Sequence, residues 1–296
     1  MDPFDFPWPT PPGHSEPPVW SEHGFKIGDT IVAILSYDVG SSGWTDGLTR
    51  FHEATAGATH SIDHASRQYA LGQLHRYVTG KAPVILEVGC SSGFLLRLVR
   101  ERLPHAFVVG SDCVRGPLEQ LAHNMPNVPL LEFDLVSCPL PENSVDAVVL
   151  LNVLEHIQDD AAAVRQVYRI LKPGGVAVIE VPAGPQLYDL YDRLLLHHRR
   201  YSRHQLRSLV ERAGFRVVRQ SHLGCLVYPA FWCIKQRNKR FLYEAEAVQR
   251  QIVARNIRAT KNSRLFDAIM RIERLLGRWL SYPFGIRCLV TCRKAP

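Results

Sequence analysis

VILEVGCSSGFLLRLV, residues 84–99, reads as a short buried strand, a turn of small residues and a helix. The turn carries no charge. It contains neither G-x-G-x-x-G nor G-K-[ST], which excludes the dinucleotide fingerprint and the P-loop. Glycines in such a turn let a ligand approach the backbone closely.

Outward from this unit the pattern repeats. AFVVGSD (106–112), VPLLEFD (128–134), VDAVVLLN (145–152) and VAVIEV (176–181) are further predicted strands. Between them, VRGPLEQLAHNM (114–125) and DDAAAVRQVYRILK (159–172) have helical spacing, the latter stopped by Pro173-Gly174-Gly175. A helix opened by Asp63 precedes the first strand. A helix over 202–214, capped by Ser202 and ended by Gly214, leads to a strand over 215–223, and residues 286–294 supply a last strand. Strands alternating with amphipathic helices predict a mostly parallel sheet with helices on both faces.

In open α/β sheets, ligands sit beyond the carboxyl ends of the strands. There the sequence places Glu87-x-Gly89-x-x-x-Gly93, Asp112, Asp134 and Asn152-Val153-Leu154-Glu155-His156. Asp112 is spaced to hold a ribose diol; a helix cap is the alternative for a lone acid at that place. Together with LEVGCSSG, GSDCV, FDL, LNVLEHI and RILKPGGVAVIEVP, the set resembles the class I S-adenosylmethionine-dependent methyltransferases. The likeness is particularly to the broad branch of small-molecule enzymes with a V-L-E-H motif. The resemblance runs over residues 62–223 and the last strand. It implies a Rossmann-like α/β fold of seven strands, the last antiparallel and slotted between the fifth and sixth.

The resemblance also implies the site. S-adenosylmethionine carries no phosphate, which suits the uncharged turn. Glu87 would hold its methionine end, and Gly89, Cys90, Ser91 and Gly93 the backbone cradle. Asp112 would take the ribose hydroxyls, with Cys113 beside the adenine. Asp134 and Leu135 would meet the adenine, and Asn152 the transferring methyl. Carboxylates accept from all three donor types involved. His156 is expected as general base or acceptor-positioning group, or as a helix-start hydrogen bond that shapes the pocket. In YDLYDRLLLHHRRYSRHQL (188–206), Asp192, His198, Arg200 and Tyr201 resemble a family segment on the acceptor side. His198 and Tyr201 are the expected catalytic candidates, and the alternative is a basic loop with its tyrosine packed inward. His60, Asp63 and His64 lie in an expected lid over 43–67. No metal site is expected.

The rest of the chain sets the context. The domains expected are a Pro-rich tail and lid segment (1–61), a methyltransferase core (62–223 with 285–296) and a basic amphipathic helical insertion (224–284). The tail is too rich in proline to build a core. The chain carries a formal net charge of +7. Between Lys235 and Arg278, twelve Lys and Arg face four acids, which suggests an anionic partner or a solvated helical face. Leu265, Ile269, Ile272, Leu276 and Trp279 share one helical face there. That face suits a peripheral membrane contact, a homodimer or internal packing. Seven cysteines without a C-x-x-C pair predict reduced thiols in a cytoplasmic protein. The N-terminus lacks the character of a secretory signal, and no apolar run reaches about 18 residues. The function expected is methyl transfer to a small-molecule acceptor, at an oxygen of a glycan, glycolipid or secondary metabolite. An RNA methyltransferase and a non-catalytic cofactor-binding scaffold are the competing readings. The RNA reading lacks an N-P-P-[YF] tetrad after the fourth strand and any recognisable RNA-binding module. Nucleic acid is therefore the less favoured partner.

Overall fold

The computed structural model describes residues 6–39, Gly47, Thr49, 60–261 and 263–296. The expected sheet forms, with one strand more than expected. β1 (Val19–Trp20), β2 (Phe25–Ile27) and β3 (Thr30–Val32) make a small antiparallel sheet, and β4 (Ile34–Ser36) leaves it for the main one. The main sheet continues with β5 (Val84–Val88), β6 (Phe107–Asp112), β7 (Leu130–Glu132), β8 (Val145–Leu151), β9 (Leu171–Pro182), β10 (Arg216–Leu223) and β11 (Arg287–Arg293). Its eight strands run in the order β10-β11-β9-β8-β5-β6-β7-β4. β4 to β9 are parallel, and β11 runs antiparallel between β9 and β10.

Period-two alternation divides the core. On β5, Val84, Leu86 and Val88 face one cluster and Ile85 the other. The Ile85 face is covered by α1 (Ser61–Tyr77), α2 (Phe94–Arg102) and α3 (Arg115–Asn124). The opposite face is covered by α4 (Asp160–Ile170) and α6 (Arg203–Arg212), with the short α5 (Leu190–Leu194) between them in sequence. Asp159 caps α4 by accepting from Ala162 N at 2.8 Å, and Ser202 and Gln205 form a reciprocal capping box on α6. Among the described residues, three α-helices separate β10 from β11: α7 (Tyr228–Asn238), α8 (Glu246–Lys261) and α9 (Arg264–Leu276). Met270 of α9 and Val227 pack on Ile62, Leu223 and Ile286, which fastens this insertion to the core. No described helix is long and apolar enough to cross a membrane.

The Pro-rich tail corrects an expectation. Phe6, Trp8 and Trp20 are buried in the core with Phe25. The Trp8 and Phe25 rings meet edge-on at 4.9 Å, and Phe6 lies 6.4 Å from Phe107 of β6. The reason is topological. The crossover from β7 to β8 carries only a 3₁₀ turn, Leu135–Ser137, so no α-helix from it covers that part of the sheet. The N-terminal aromatics join the cluster there with Leu131, Phe133 and Leu135. Prolines hold a short segment extended without backbone donors, and the aromatics between them supply the buried area. The expected lid lies partly outside the described residues.

Trp8 is 4% exposed. Trp8→Ala should lower the free energy of unfolding by about 3–5 kcal/mol, as other large aromatic truncations do. Urea denaturation measures this, and an unchanged midpoint would show the tail to be a bystander.

Candidate active site

The chain order reverses between β5 and β8, so the crevice opens beyond Val88 and Leu151. After β5, Gly89 N and Cys90 N both donate to Ser111 O, at 2.8 and 2.9 Å, tying the turn to β6. Gly89 has φ +73°, and a Cβ there would stand 2.6 Å from Val153 Cγ2. Only glycine fits. Gly93, expected in the cradle, packs against a helix. It precedes α2 with φ +71°, a Cβ would stand 2.6 Å from Leu121 Cδ1, and it is not in the lining of either cavity at this turn. Cys90 is buried and lines only a small side cavity.

Two cavities meet at this turn. The larger is about 570 Å³ and the smaller about 130 Å³. They share Asp63, Gly89, Ser91, Leu151, Asn152 and Arg287 as walls. Glu87 lines the smaller. Burial pushes its carboxyl well above the usual range against the pull of Arg67, and Oε2 has no hydrogen-bond partner. Asp112, Cys113, Asp134 and Leu135 line one end of the larger. Asp112 joins two turns, accepting from Ser91 N at 2.9 Å and Val114 N at 3.1 Å. Asp134 caps the 3₁₀ turn, accepting from Val136 N at 2.9 Å, and its residue also lines the cavity.

Asn152 takes a left-handed conformation, φ +56°. Its backbone N donates to Glu180 O at 3.0 Å and its side-chain amide to Glu180 Oε1 at 3.1 Å. Arg287 of β11 donates to the same Oε1 at 2.7 Å and pairs with Asp63 of α1. Burial raises the Glu180 carboxyl and Arg287 opposes it. Asp63, expected as a helix cap or lid residue, is thus an ion-pair partner. His60 is buried and lines the larger cavity, whereas His64 meets Arg274 Nη1 at 3.1 Å.

At the far end stand Glu155, His156 and His197. Glu155 is fully buried, and burial pushes its carboxyl up to about 8. Neither of its oxygens has a hydrogen-bond partner. His156 Nε2 lies 4.0 Å from Glu155 Oε1, and the His156 and His197 rings are 4.7 Å apart at 78°. Two expected residues are displaced from this group. His198 is exposed and lines neither cavity. Tyr201 is buried away from both, donating from its hydroxyl to Asp160 Oδ2 at 2.8 Å. The backbone explains the first correction. Leu196 has φ +54°, so the chain turns just before the histidine pair and His197, not His198, points inward. His197 Nδ1 then meets Asp192 Oδ1 at 2.9 Å.

The insertion closes this end through residues that motif reading missed. Lys235 of α7 donates to Asp189 Oδ1 at 2.6 Å and Asp192 Oδ2 at 3.0 Å. Asn238 donates to Asp189 and Arg200 to Asp192, at 2.9 and 2.8 Å. Burial works against ionisation of Asp192, but Lys235, His197 and Arg200 together hold its carboxyl well below the usual range. Lys235, counted by sequence among surface charges, is therefore a buried counter-ion. Val227, Phe231 and Ile234 present an apolar wall to the cavity.

Lys235→Met would leave two buried carboxylates short of a cation. It should cost about 3–5 kcal/mol of stability in a chemical melt, in line with other broken buried pairs. A loss below about 1 kcal/mol would mean that solvent reaches the network.

Comparison with known proteins identifies the family of this core. A family model for a methyltransferase domain matches residues 62–220. A Mycolicibacterium smegmatis protein named a probable S-adenosylmethionine-dependent methyltransferase is 33% identical over 135 residues, covering 45% of this chain and 52% of its own length. A demethylmenaquinone methyltransferase of Thermus thermophilus is 34% identical over 113 residues, covering 36% of this chain and 51% of its own length. The chain thus spans about half the length of these curated relatives. Haemonchus contortus phosphoethanolamine N-methyltransferase 2, solved with S-adenosyl-L-methionine, shares the fold with a TM-score of 0.53 at 16% identity, over 84% of this chain and 60% of its own. An S-adenosylmethionine-dependent methyltransferase of Mesorhizobium loti gives 0.50 at 20% identity, over 79% of this chain and 100% of its own.

Proposed function

The chain belongs to the class I S-adenosylmethionine-dependent methyltransferases, and we propose that it moves a methyl group from that cofactor to an oxygen of a small-molecule acceptor. One observation carries the reading. The cavity of about 570 Å³ has a carboxylate-lined end at the strand tips and an imidazole-lined end under the insertion, leaving room for donor and acceptor together.

The residues fit the cofactor chemically. Glu87, buried with an unpartnered oxygen, takes the ammonium of the methionine end. Gly89 and Ser91 admit the ligand to the backbone, where any Cβ at residue 89 would collide with Val153. Asp112 accepts from the ribose hydroxyls, Cys113 and Leu135 flank the adenine, and Asp134 accepts from its amino group. Asn152, pinned by Glu180, borders the path of the methyl. The cofactor supplies an activated methyl on sulfonium, and the chain supplies alignment and exclusion of water. His156 faces the acceptor and positions its nucleophilic atom.

The apolar wall supports an acceptor with a lipid or other apolar portion, such as a glycolipid or a hydrophobic secondary metabolite. The outer face of the insertion supports docking on an anionic membrane. Leu265 is 72% and Trp279 80% exposed, with Ile272 and Leu276 between them and Arg264, Arg271 and Arg278 alongside. Of the predicted stripe, Ile269 packs inward and Leu265 stands at the rim of the larger cavity.

Asp112→Ala should weaken S-adenosylmethionine binding about 100-fold in calorimetry, the worth of two charge-assisted hydrogen bonds at the low end of their range. Gly89→Arg should abolish it; wild-type affinity in either folded variant would place the cofactor elsewhere. For the membrane, exposed arginines contribute about 1 kcal/mol each near an anionic surface. Arg271→Gln with Arg278→Gln should therefore reduce cosedimentation with phosphatidylserine vesicles about 30-fold. No vesicle binding by the wild-type chain, with a dimer in sedimentation, would assign the face to self-association instead.

A further inference from the structure

We propose that Glu155, His156 and His197 form a binding site for a divalent transition-metal cation at the acceptor end of the cavity. Each offers one donor atom, and the three donors all lie within 4.8 Å of one another. Ligands on a single tetrahedral ion stand roughly 3.4 Å apart, given bond lengths near 2.0–2.1 Å. About one ångström of side-chain adjustment closes the gap.

The donor set selects the ion class. Two imidazoles and one carboxylate suit zinc, iron, cobalt or manganese better than calcium or magnesium, which take mainly oxygen ligands. Three protein ligands leave at least one position open, as catalytic sites do. That position faces the cavity, which all three residues line. An oxygen of the acceptor fits it. For this role, though not for metal binding itself, the inference rests on the methyl-transfer reading.

Two further observations point to a cation. Glu155 is fully buried, lines the cavity and has no hydrogen-bond partner at either oxygen. Buried polar groups are nearly always partnered, and one that is not marks a missing ion, a water or a functional task. A cation would supply both partner and counter-charge. The second is the backing of His197. Asp192 accepts only, so the 2.9 Å contact places the ring proton on Nδ1 and leaves the Nε2 lone pair free to ligate. A carboxylate behind a ligating imidazole is the usual arrangement at metal sites. The nearby positive charges do not oppose a cation outright. Arg200 and Lys235 are both spent on Asp192 and Asp189. Sequence reading expected no metal because the ligands come from two segments, with only Glu155 and His156 adjacent.

The test uses the purified full chain, stripped with a chelator and titrated with cobalt(II). Visible absorption reports coordination geometry and calorimetry the affinity. We expect one saturable equivalent, displaced by zinc. Even loss of a hydrogen-bond partner behind a metal ligand costs about 10–100-fold in affinity. Glu155→Gln and His197→Ala should therefore each weaken cobalt binding at least about tenfold, and His198→Ala, next door but exposed, should not. Absence of a one-equivalent site in the wild-type chain overturns the proposal without recourse to variants. So does undiminished affinity in both folded variants. S-adenosylmethionine binding is measured on the same sample. A chain that binds the cofactor but no cobalt refutes the metal site alone. One that binds cobalt but no cofactor refutes the methyl-transfer reading and leaves the metal site standing.

Discussion

A buried carboxylate in the middle of a sheet is expensive unless a cation and hydrogen bonds meet it. Glu180 is such a group, fully buried on β9, and Arg287 is its cation. The pair does more than cancel charge. Arg287 also reaches Ser66 and Asp63 on α1, so one guanidinium on β11 ties together α1 and β9, elements distant in sequence. Glu180 in turn holds Asn152 in a conformation that non-glycine residues seldom adopt. The shape of the crevice beyond β5 and β8 follows from this junction.

A second buried network repeats the logic at the other end of the cavity. Asp189 and Asp192 meet Lys235, Arg200 and His197. Here the cation comes from the insertion, which is thereby locked over the acceptor end. Glu273 of α9 completes the attachment, accepting from Gly224 N at 2.6 Å and Leu226 N at 2.9 Å. The insertion thus has two chemically different sides. One gives its charges to the core, and the other leaves Ile272 and Trp279 in solvent.

The sheet was legible because each strand and helix announces itself by local period, and period is a property of neighbouring residues. Motif residues at strand ends were legible for the same reason, since a parallel sheet brings all those ends to one edge. Gly93 shows the limit. Its spacing suits a ligand cradle and a packing contact equally, and only the position of Leu121 separates the two. His197 and His198 show another. Adjacent identical residues carry no sequence signal of which one faces in, and a single left-handed residue, Leu196, decides it. The N-terminal aromatics were hidden because proline content speaks for local extension and says nothing about a gap elsewhere in the sheet. Lys235 was hidden in a run of surface charge, because its partners lie more than forty residues earlier in the chain.

The antiparallel strand between β9 and β10 bears on how the chain is made. During vectorial synthesis, β9 and β10 leave the ribosome well before residue 293 does, and until then they have no bonded neighbour between them. Their facing edges are open to other nascent chains, a known hazard of late, long-range strand pairing. Arg287 travels on that same late strand. The crevice therefore acquires its final shape only when the sheet closes, so a partly synthesised chain presents neither a finished sheet nor a finished ligand site.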